Sequence, residues 1–298
     1  MGIRLVALDL DGTLLNSRGE LTGRNRAAIA EARRRGVSVA LVTGRRFRDA
    51  RPLALELGLD VPVIAHNGAL TKHARTLETV AALLMPAEAA RAVVRLGRAH
   101  GADALVSDDH TGEGVLLYDH ISEGNTALAK YIAWSRRVVG EGAAASIRKV
   151  ESLEDYLDHD PLHVAFSGGC AAMERLGELM SEELGGAVKQ LLTLYPKADF
   201  ALLDVLHPSA SKGAGLAAVA SEQGVTREEI LAVGDNFNDL EMLEYAGTGV
   251  LMGNAEPPLR ARGDFHTTAT NDEDGVAEAI ERYVLKEQET GVGIRKSE

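Results

Sequence analysis

Residues 5–15 read LVALDLDGTLL, and this stretch constrains the chain more than any other. Its first half is a continuous apolar run, which suits a strand covered on both faces, as in a parallel sheet. The run ends on Asp9, skips Leu10, places a second carboxylate at Asp11 and breaks at Gly12-Thr13. Alternation along a strand would point Asp9 and Asp11 to the same side. Two carboxylates at the end of a buried strand repel each other, and desolvation makes the repulsion worse. They become tolerable when a cation sits between them. An Asp-rich turn closing a strand is the competing reading. An EF-hand loop is not, although Glu20 lies at the right distance from Asp9: Leu14 stands where that loop needs Gly, and a strand leads in.

The chain that follows repeats the pattern. Residues 22–35 read as a helix stopped by Gly36, and the apolar run 37–43 as a strand ending in Thr43-Gly44-Arg45. A helix over 47–57 closes at Gly58, and a strand over 61–65 ends in His66-Asn67-Gly68. Strand, helix, strand, helix, strand with short loops implies right-handed crossovers and a parallel sheet. Ligands on such sheets bind beyond the carboxyl ends of the strands, where Asp9, Asp11, Thr43, Arg45, Asn67 and Gly68 all fall. Gly44 joins them as a candidate for binding substrate.

From Pro86 the rhythm changes. A helix over 87–100, strands at 104–107 and 115–118, a helix over 125–137 with a loop to 145, and a strand at 162–166 come next. A helix over 171–184 ends at Gly185-Gly186, and strands at 188–195 and 200–205 pair across a turn at 196–199. Helices beside adjacent strand pairs imply an antiparallel α+β unit. The α/β rhythm then returns: a helix over 211–223, a strand over 228–233, a helix over 240–245, strands at 248–252 and 265–267, and a helix over 275–286 before a polar, frayed tail at 287–298. The expected organisation is a discontinuous α/β domain of residues 1–85 and 205–298, a Rossmann-like parallel-sheet core, with an α+β domain of residues 86–204 inserted into it.

Gly234-Asp235-Asn236-Phe237-Asn238-Asp239 lies where the later strand opens into a helix, so Asp235 and Asp239 come from the same sheet edge as Asp9 and Asp11. Asp239 alone could be a helix cap. Four carboxylates on one sheet edge are harder to explain as structure, because unpaired they repel strongly. Oxygen ligands suit Mg²⁺, and the His and Cys clusters expected for zinc are missing from these motifs. Lys212 stands at a helix start, against the macrodipole, and needs a reason to be there.

In this order, Asp9-Leu10-Asp11-Gly12-Thr13, Thr43-Gly44-Arg45, Ser211-Lys212-Gly213 and Gly234-Asp235-Asn236-Phe237-Asn238-Asp239 resemble the four motifs of the haloacid dehalogenase (HAD) superfamily. The insertion between the second and third motifs, followed by Met252-Gly253-Asn254-Ala255 and Asn271-Asp272-Glu273-Asp274-Gly275, is similar to the Cof-type phosphatases, whose inserted domain is a cap of the C2 type. The resemblance implies that Asp9 is the nucleophile and that Asp11 protonates the leaving alkoxide and then activates water. It implies Mg²⁺ held by Asp9, the Asp11 carbonyl and Asp235, with Asp239 in support. Thr43 would bond a phosphoryl oxygen, Lys212 would offset its charge and that of Asp9, and Asn238 would join the substrate-binding set.

Composition limits the alternatives. A net charge of −12 argues against nucleic acid as the main partner, but not against a small phosphorylated metabolite whose site carries a metal and local cations. No apolar run approaches the ~20 residues needed to span a bilayer, and the N-terminus is unlike a secretory signal. Cys170, the single cysteine, fits a reducing cytoplasm and reads as a small buried thiol. His66 reads as a substrate contact or a structural hydrogen-bonding residue, and Asp158-His159-Asp160 as a solvated turn or a metal cluster. Asp108-Asp109-His110 and Asp119-His120 carry polar groups that could read a substrate. The expected activity is a Mg²⁺-dependent phosphatase acting on a small metabolite such as a sugar phosphate, with the insertion selecting the leaving group and hinging near Met85-Pro86 and residues 203–208. A sugar phosphomutase using the same aspartyl-phosphate, or a phospho-ligand-binding regulator, are the alternatives.

Overall fold

The computed structural model describes residues 2–126, 128–129 and 146–286. In chain order the strands are β1 (Leu5–Asp9), β2 (Ser38–Val42), β3 (Val63–Ala65), β4 (Leu70–Lys72), β5 (Thr79–Ala82), β6 (Ala104–Asp108) and β7 (Val115–Tyr118). They continue as β8 (Ile147–Lys149), β9 (His163–Gly168), β10 (Lys189–Tyr195), β11 (Phe200–Leu206), β12 (Ile230–Gly234), β13 (Thr248–Leu251) and β14 (His266–Thr267). The α-helices are α1 (Gly23–Arg34), α2 (Phe47–Glu56), α3 (Ala87–Ala99), α4 (Leu153–Tyr156) and α5 (Cys170–Leu184), then α6 (Lys212–Gln223), α7 (Leu240–Tyr245), α8 (Pro257–Arg260) and α9 (Gly275–Ile280). Two compact units result, Met1–Ala81 with Ser211–Glu298, and Ala82–Ala210. The junctions expected at 85–86 and 204–205 fall at 81–82 and 210–211 in this division.

The first unit holds an eight-stranded sheet in the order β14-β13-β12-β1-β2-β3-β4-β5. All five residues of β1 are buried, as an apolar run covered on both faces requires. It pairs in parallel with β12 on one side, Leu8 opposite Val233, and with β2 on the other, Asp9 opposite Val42. The carboxyl ends of β1, β2 and β12 therefore lie side by side, at the switch point where open α/β sheets bind ligands. Helix α6 is set by the Ser211 hydroxyl, which accepts the Ala214 N–H at 3.0 Å, and it buries Leu216, Val219 and Ala220 in the core. Each large apolar side chain so buried contributes on the order of 2 kcal/mol, which holds the helix start against the sheet.

The sheet differs from the expected parallel rhythm at one edge. β3 and β4 are antiparallel, Ile64 opposite Thr71, and are joined by the tight turn His66–Gly68. His66, Asn67 and Gly68 all have positive φ, at 50°, 52° and 90°. A Cβ on Gly68 would lie 1.8 Å from the Ser211 carbonyl oxygen, so only glycine lets this turn meet the start of α6.

The second unit is a six-stranded sheet, β10-β11-β9-β6-β7-β8. It is antiparallel as expected except that β7 and β8 run parallel, Leu117 opposite Arg148. Val93, Val94 and Leu96 of α3 and Met173, Leu176 and Met180 of α5 share one core with Val106, Phe166, Leu203 and Val205 of the sheet. Most of the helix expected over 125–137, the loop to 145 and the tail 287–298 lie outside the described residues. Among the described residues no helix is long and apolar enough to cross a membrane.

Candidate active site

β1 ends on Asp9, which is buried at the centre of the sheet edge. β12 ends on Gly234, so Asp235 is the first residue beyond it, and the turn Phe237–Asp239 follows. One carboxylate oxygen from each of Asp9, Asp235 and Asp239 lies within 4.8 Å of the others. Lys212, at the first position of α6, is 1% exposed and donates to both Asp9 Oδ1 at 2.6 Å and Asp239 Oδ1 at 2.5 Å. That double bond to carboxylates explains a lysine at a helix start. Burial pulls its pKa down, but Asp239 and Asp9 outweigh this and hold the ammonium above its ordinary value.

The three carboxylates are not equivalent. Asp239 Oδ2 accepts the backbone N–H groups of Asp235 at 2.9 Å and Asn236 at 3.0 Å, closing a capping box with Asn236. With its other oxygen on Lys212, Asp239 caps this turn and anchors the lysine together. Asp235 Oδ1 accepts the Thr13 hydroxyl at 2.9 Å. Burial, and then the Asp239 charge, push the Asp235 carboxyl up to about 6. Burial also raises Asp9 well above the carboxylate range; Lys212 pulls it back, while Asp239 and Asp235 add to the rise. Three carboxylates gathered around one ammonium leave an excess of negative charge. An all-oxygen donor set of this kind fits a hard divalent cation such as Mg²⁺.

The expectation that four carboxylates converge is corrected. The strand stops at Asp9 and the chain turns, with Leu14 N–H bonded to the Asp9 carbonyl and Gly12 at φ +85°. Gly12 passes so close to Asp235 that a Cβ would sit 2.4 Å from its Oδ2. Asp11 is thereby turned outward, its side chain 60% exposed, and Arg45 grips it through two bonds, Nε to Oδ2 at 2.8 Å and Nη2 to Oδ1 at 2.5 Å. Three carboxylates form the cluster among the described residues, and Asp11 forms an ion pair beside it.

The remaining predicted residues join the same rim. Thr43 is buried, and its Oγ1 accepts the Arg45 N–H at 3.0 Å. Asn67 donates its N–H to the Thr43 carbonyl and accepts the Asn238 side-chain amide at 3.0 Å, tying together the loops after β2, β3 and β12. Gly44 lies against the Asn67 amide, where a Cβ would be 3.0 Å from Oδ1. Gly68 serves the approach to α6. The buried His66 ring accepts the Phe47 N–H at 3.4 Å, a structural bond.

Sequence reasoning gave no role to Thr13, although it sits inside the first motif. Nor did it show how Asn254 and Asn271 brace the loop after β1, through the Gly12 carbonyl at 2.8 Å and the Leu15 carbonyl at 2.9 Å. In the second unit, Asp158, His159 and Asp160 form no candidate metal-binding group among the described residues. His159 bridges Asp158 at 2.6 Å and Asp108 at 2.7 Å, Tyr156 donates to Asp108 at 2.7 Å, and Asp160 caps α3 through the Ala87 N–H. Asp119 pairs with Arg98 and accepts the Leu153 N–H. Cys170 is half-buried, with its thiol on the Phe200 carbonyl.

Comparisons with known proteins agree with this geometry. A family model described as haloacid dehalogenase-like hydrolase matches residues 6–280. The stress response protein YhaX of Bacillus subtilis is 30% identical, covering 98% of this chain and 96% of its own. The pyridoxal phosphate phosphatase YbhA of Escherichia coli is 30% identical over 96% of this chain and 100% of its own. The 5-amino-6-(5-phospho-D-ribitylamino)uracil phosphatase YcsE of B. subtilis is 30% identical over 95% and 96%. A crystal structure of a haloacid dehalogenase-like hydrolase from Bacteroides thetaiotaomicron superposes with a TM-score of 0.77 at 27% identity, covering 94% of this chain and 99% of that one.

Proposed function

Because the chain belongs to the haloacid dehalogenase-like hydrolases, we propose that it is a Mg²⁺-dependent phosphatase that hydrolyses a small phosphorylated metabolite through an aspartyl-phosphate on Asp9. The observation that carries this reading is the buried Lys212 ammonium bridging Asp9 and Asp239 beside Asp235. A carboxylate attacks a phosphate dianion only where positive charge offsets the pair. The relatives named for pyridoxal phosphate and for a phosphorylated ribitylaminouracil support a small phosphate monoester as substrate. A sugar phosphate is one member of that class.

In this reading Asp9 attacks phosphorus, forming a P–O bond as the bond to the leaving oxygen breaks. Lys212 pulls Asp9 toward its ionised form and aims it. The Thr43 oxygen accepts the Arg45 N–H, and its own hydrogen would be donated to a phosphoryl oxygen. An arriving phosphate competes for the Arg45 guanidinium, which releases Asp11. Asp11, once released, takes up a proton from solvent, gives it to the leaving oxygen and regains one from the water that attacks phosphorus as the P–O bond to Asp9 breaks. Asp9 and Asp235, with the Asp11 carbonyl, would hold Mg²⁺, while Asp239 stays committed to Lys212 and the loop. When bound, Mg²⁺ offsets the charge of the phosphoryl oxygens.

The test is a panel of phosphorylated metabolites with Mg²⁺ present, run on the wild type and on Asp9→Asn. Phosphate release by the wild type, cut more than ~1000-fold in the folded variant, is expected. Comparable turnover by the two would remove Asp9 from the nucleophile's place. Phosphoryl groups returned to a sugar hydroxyl instead of water would mark a mutase.

A further inference from the structure

We infer that Phe237 is a specificity-determining residue of this site, one that selects phosphate esters whose leaving group presents a flat apolar ring next to the phosphoryl group. This rests on the phosphatase reading above and names the substrate class within it. Phe237 is 51% exposed, the most exposed large hydrophobic side chain among the described residues. Consecutive Cα atoms are about 3.8 Å apart, so its Cα is at most about 7.6 Å from that of Asp235, within one side chain's reach of the acidic cluster.

The loop that carries it is held at every other position. Asp239 Oδ2 takes the Asp235 and Asn236 N–H groups, and Asn236 Oδ1 takes the Phe237 N–H at 2.7 Å. The Asp239 N–H bonds the Asn236 carbonyl at 3.0 Å, and the Asn238 amide is tied to Asn67. Asp235 is bonded to Thr13. Five consecutive residues thus have their backbone or side chain committed, and the ring of Phe237 is the large apolar group this rigid loop presents to solvent. A fixed backbone means that little ordering entropy is lost when something covers the ring.

The chemistry of the ring sets the preference. An aromatic leaving group covers apolar surface and gains an offset or edge contact with the π face, worth about a 3- to 10-fold preference. A polyol must give up hydroxyl hydration to make the same contact. The motif residues around it bind the phosphoryl group and cannot draw this distinction.

The experiment compares pyridoxine 5′-phosphate, which has a flat ring and no aldehyde to react with lysines, with D-ribose 5-phosphate. Wild type, Phe237→Ala and Phe237→Tyr are assayed for phosphate release with Mg²⁺. The expected result is that Phe237→Ala lowers kcat/KM for pyridoxine 5′-phosphate by roughly tenfold, mainly through KM, and leaves ribose 5-phosphate within about twofold. Phe237→Tyr, which keeps the ring, should restore the preference. Equal losses on both esters, or no loss on either, would overturn the inference, as would a wild type that hydrolyses ribose 5-phosphate alone; in these cases the phosphatase reading stands. A wild type that hydrolyses no ester on a broad panel would take down both.

Discussion

Replacing Lys212 with methionine keeps the length of the side chain and deletes the charge that two carboxylates share. In the wild type that ammonium is 1% exposed and bonded to Asp9 at 2.6 Å and to Asp239 at 2.5 Å. Neither carboxylate can turn to water instead: Asp239 is 0% exposed and Asp9 is 4% exposed. Removing one partner from a buried ion pair costs about 3–5 kcal/mol, because the remaining charge stays desolvated. For a unit of this size that corresponds to a fall in Tm of roughly 10 °C in metal-free buffer near neutral pH. Asp9, already raised well above its ordinary pKa, should take up a proton in the variant, so the deficit should shrink under mildly acidic conditions. Calorimetric or circular-dichroism melts in chelator, near neutral pH and near pH 5, measure both effects. A Lys212→Met protein that melts within about 2 °C of wild type near neutral pH would refute the view that this lysine holds Asp9 and Asp239 together by its charge.

Three further outcomes follow from the same geometry. Gly68→Ala should destabilise the protein by on the order of 3 kcal/mol in denaturant titration, since its Cβ would meet the Ser211 carbonyl oxygen at 1.8 Å at a φ of 90°. Asp235 has its pKa raised to about 6 in the fold, so the stability it gives when protonated is lost as pH rises from about 4 to about 6; over that range the metal-free wild type should lose Tm relative to Asp235→Asn, and Mg²⁺ should reverse the loss. His159 is held above its ordinary pKa by bonds to Asp158 and then Asp108, so the stabilisation it gives is complete below about pH 6.5 and is lost as pH rises through the raised value; wild type and His159→Gln should differ most in Tm under acidic conditions and converge under alkaline ones.

The parallel half of the fold was legible because its strands are apolar runs that end abruptly in polar motifs. β1, β2 and β12 could be read from LVALD, SVALV and ILAVG, and their shared edge followed from crossover handedness. β4, β5, β8 and α4 escaped notice because each is only three or four residues long, and periods of 2 and 3.6 cannot be told apart over that length. The site was legible as a set of residues and less so as a set of directions. Asp11 was read as a continuation of the strand, whereas the turn at Gly12 hands its side chain to Arg45, 34 residues away. Asp239 reads in sequence as either a cap or a site residue, and in the fold one of its oxygens caps the turn while the other holds Lys212. His159 and Asp108 pair across 51 residues, which no local pattern announces.

If Asp9 accepts the phosphoryl group, the group can be caught on it. Protein mixed with excess substrate and Mg²⁺ is quenched in acid, where acyl phosphates survive, digested and analysed by mass spectrometry. The expected product is a peptide containing Asp9 that is heavier by one phosphoryl group, that loses it on treatment with hydroxylamine, and that is absent from Asp9→Asn. Turnover with no phosphorylated peptide at any quench time, or a phosphoryl group on another residue, would contradict this role of Asp9.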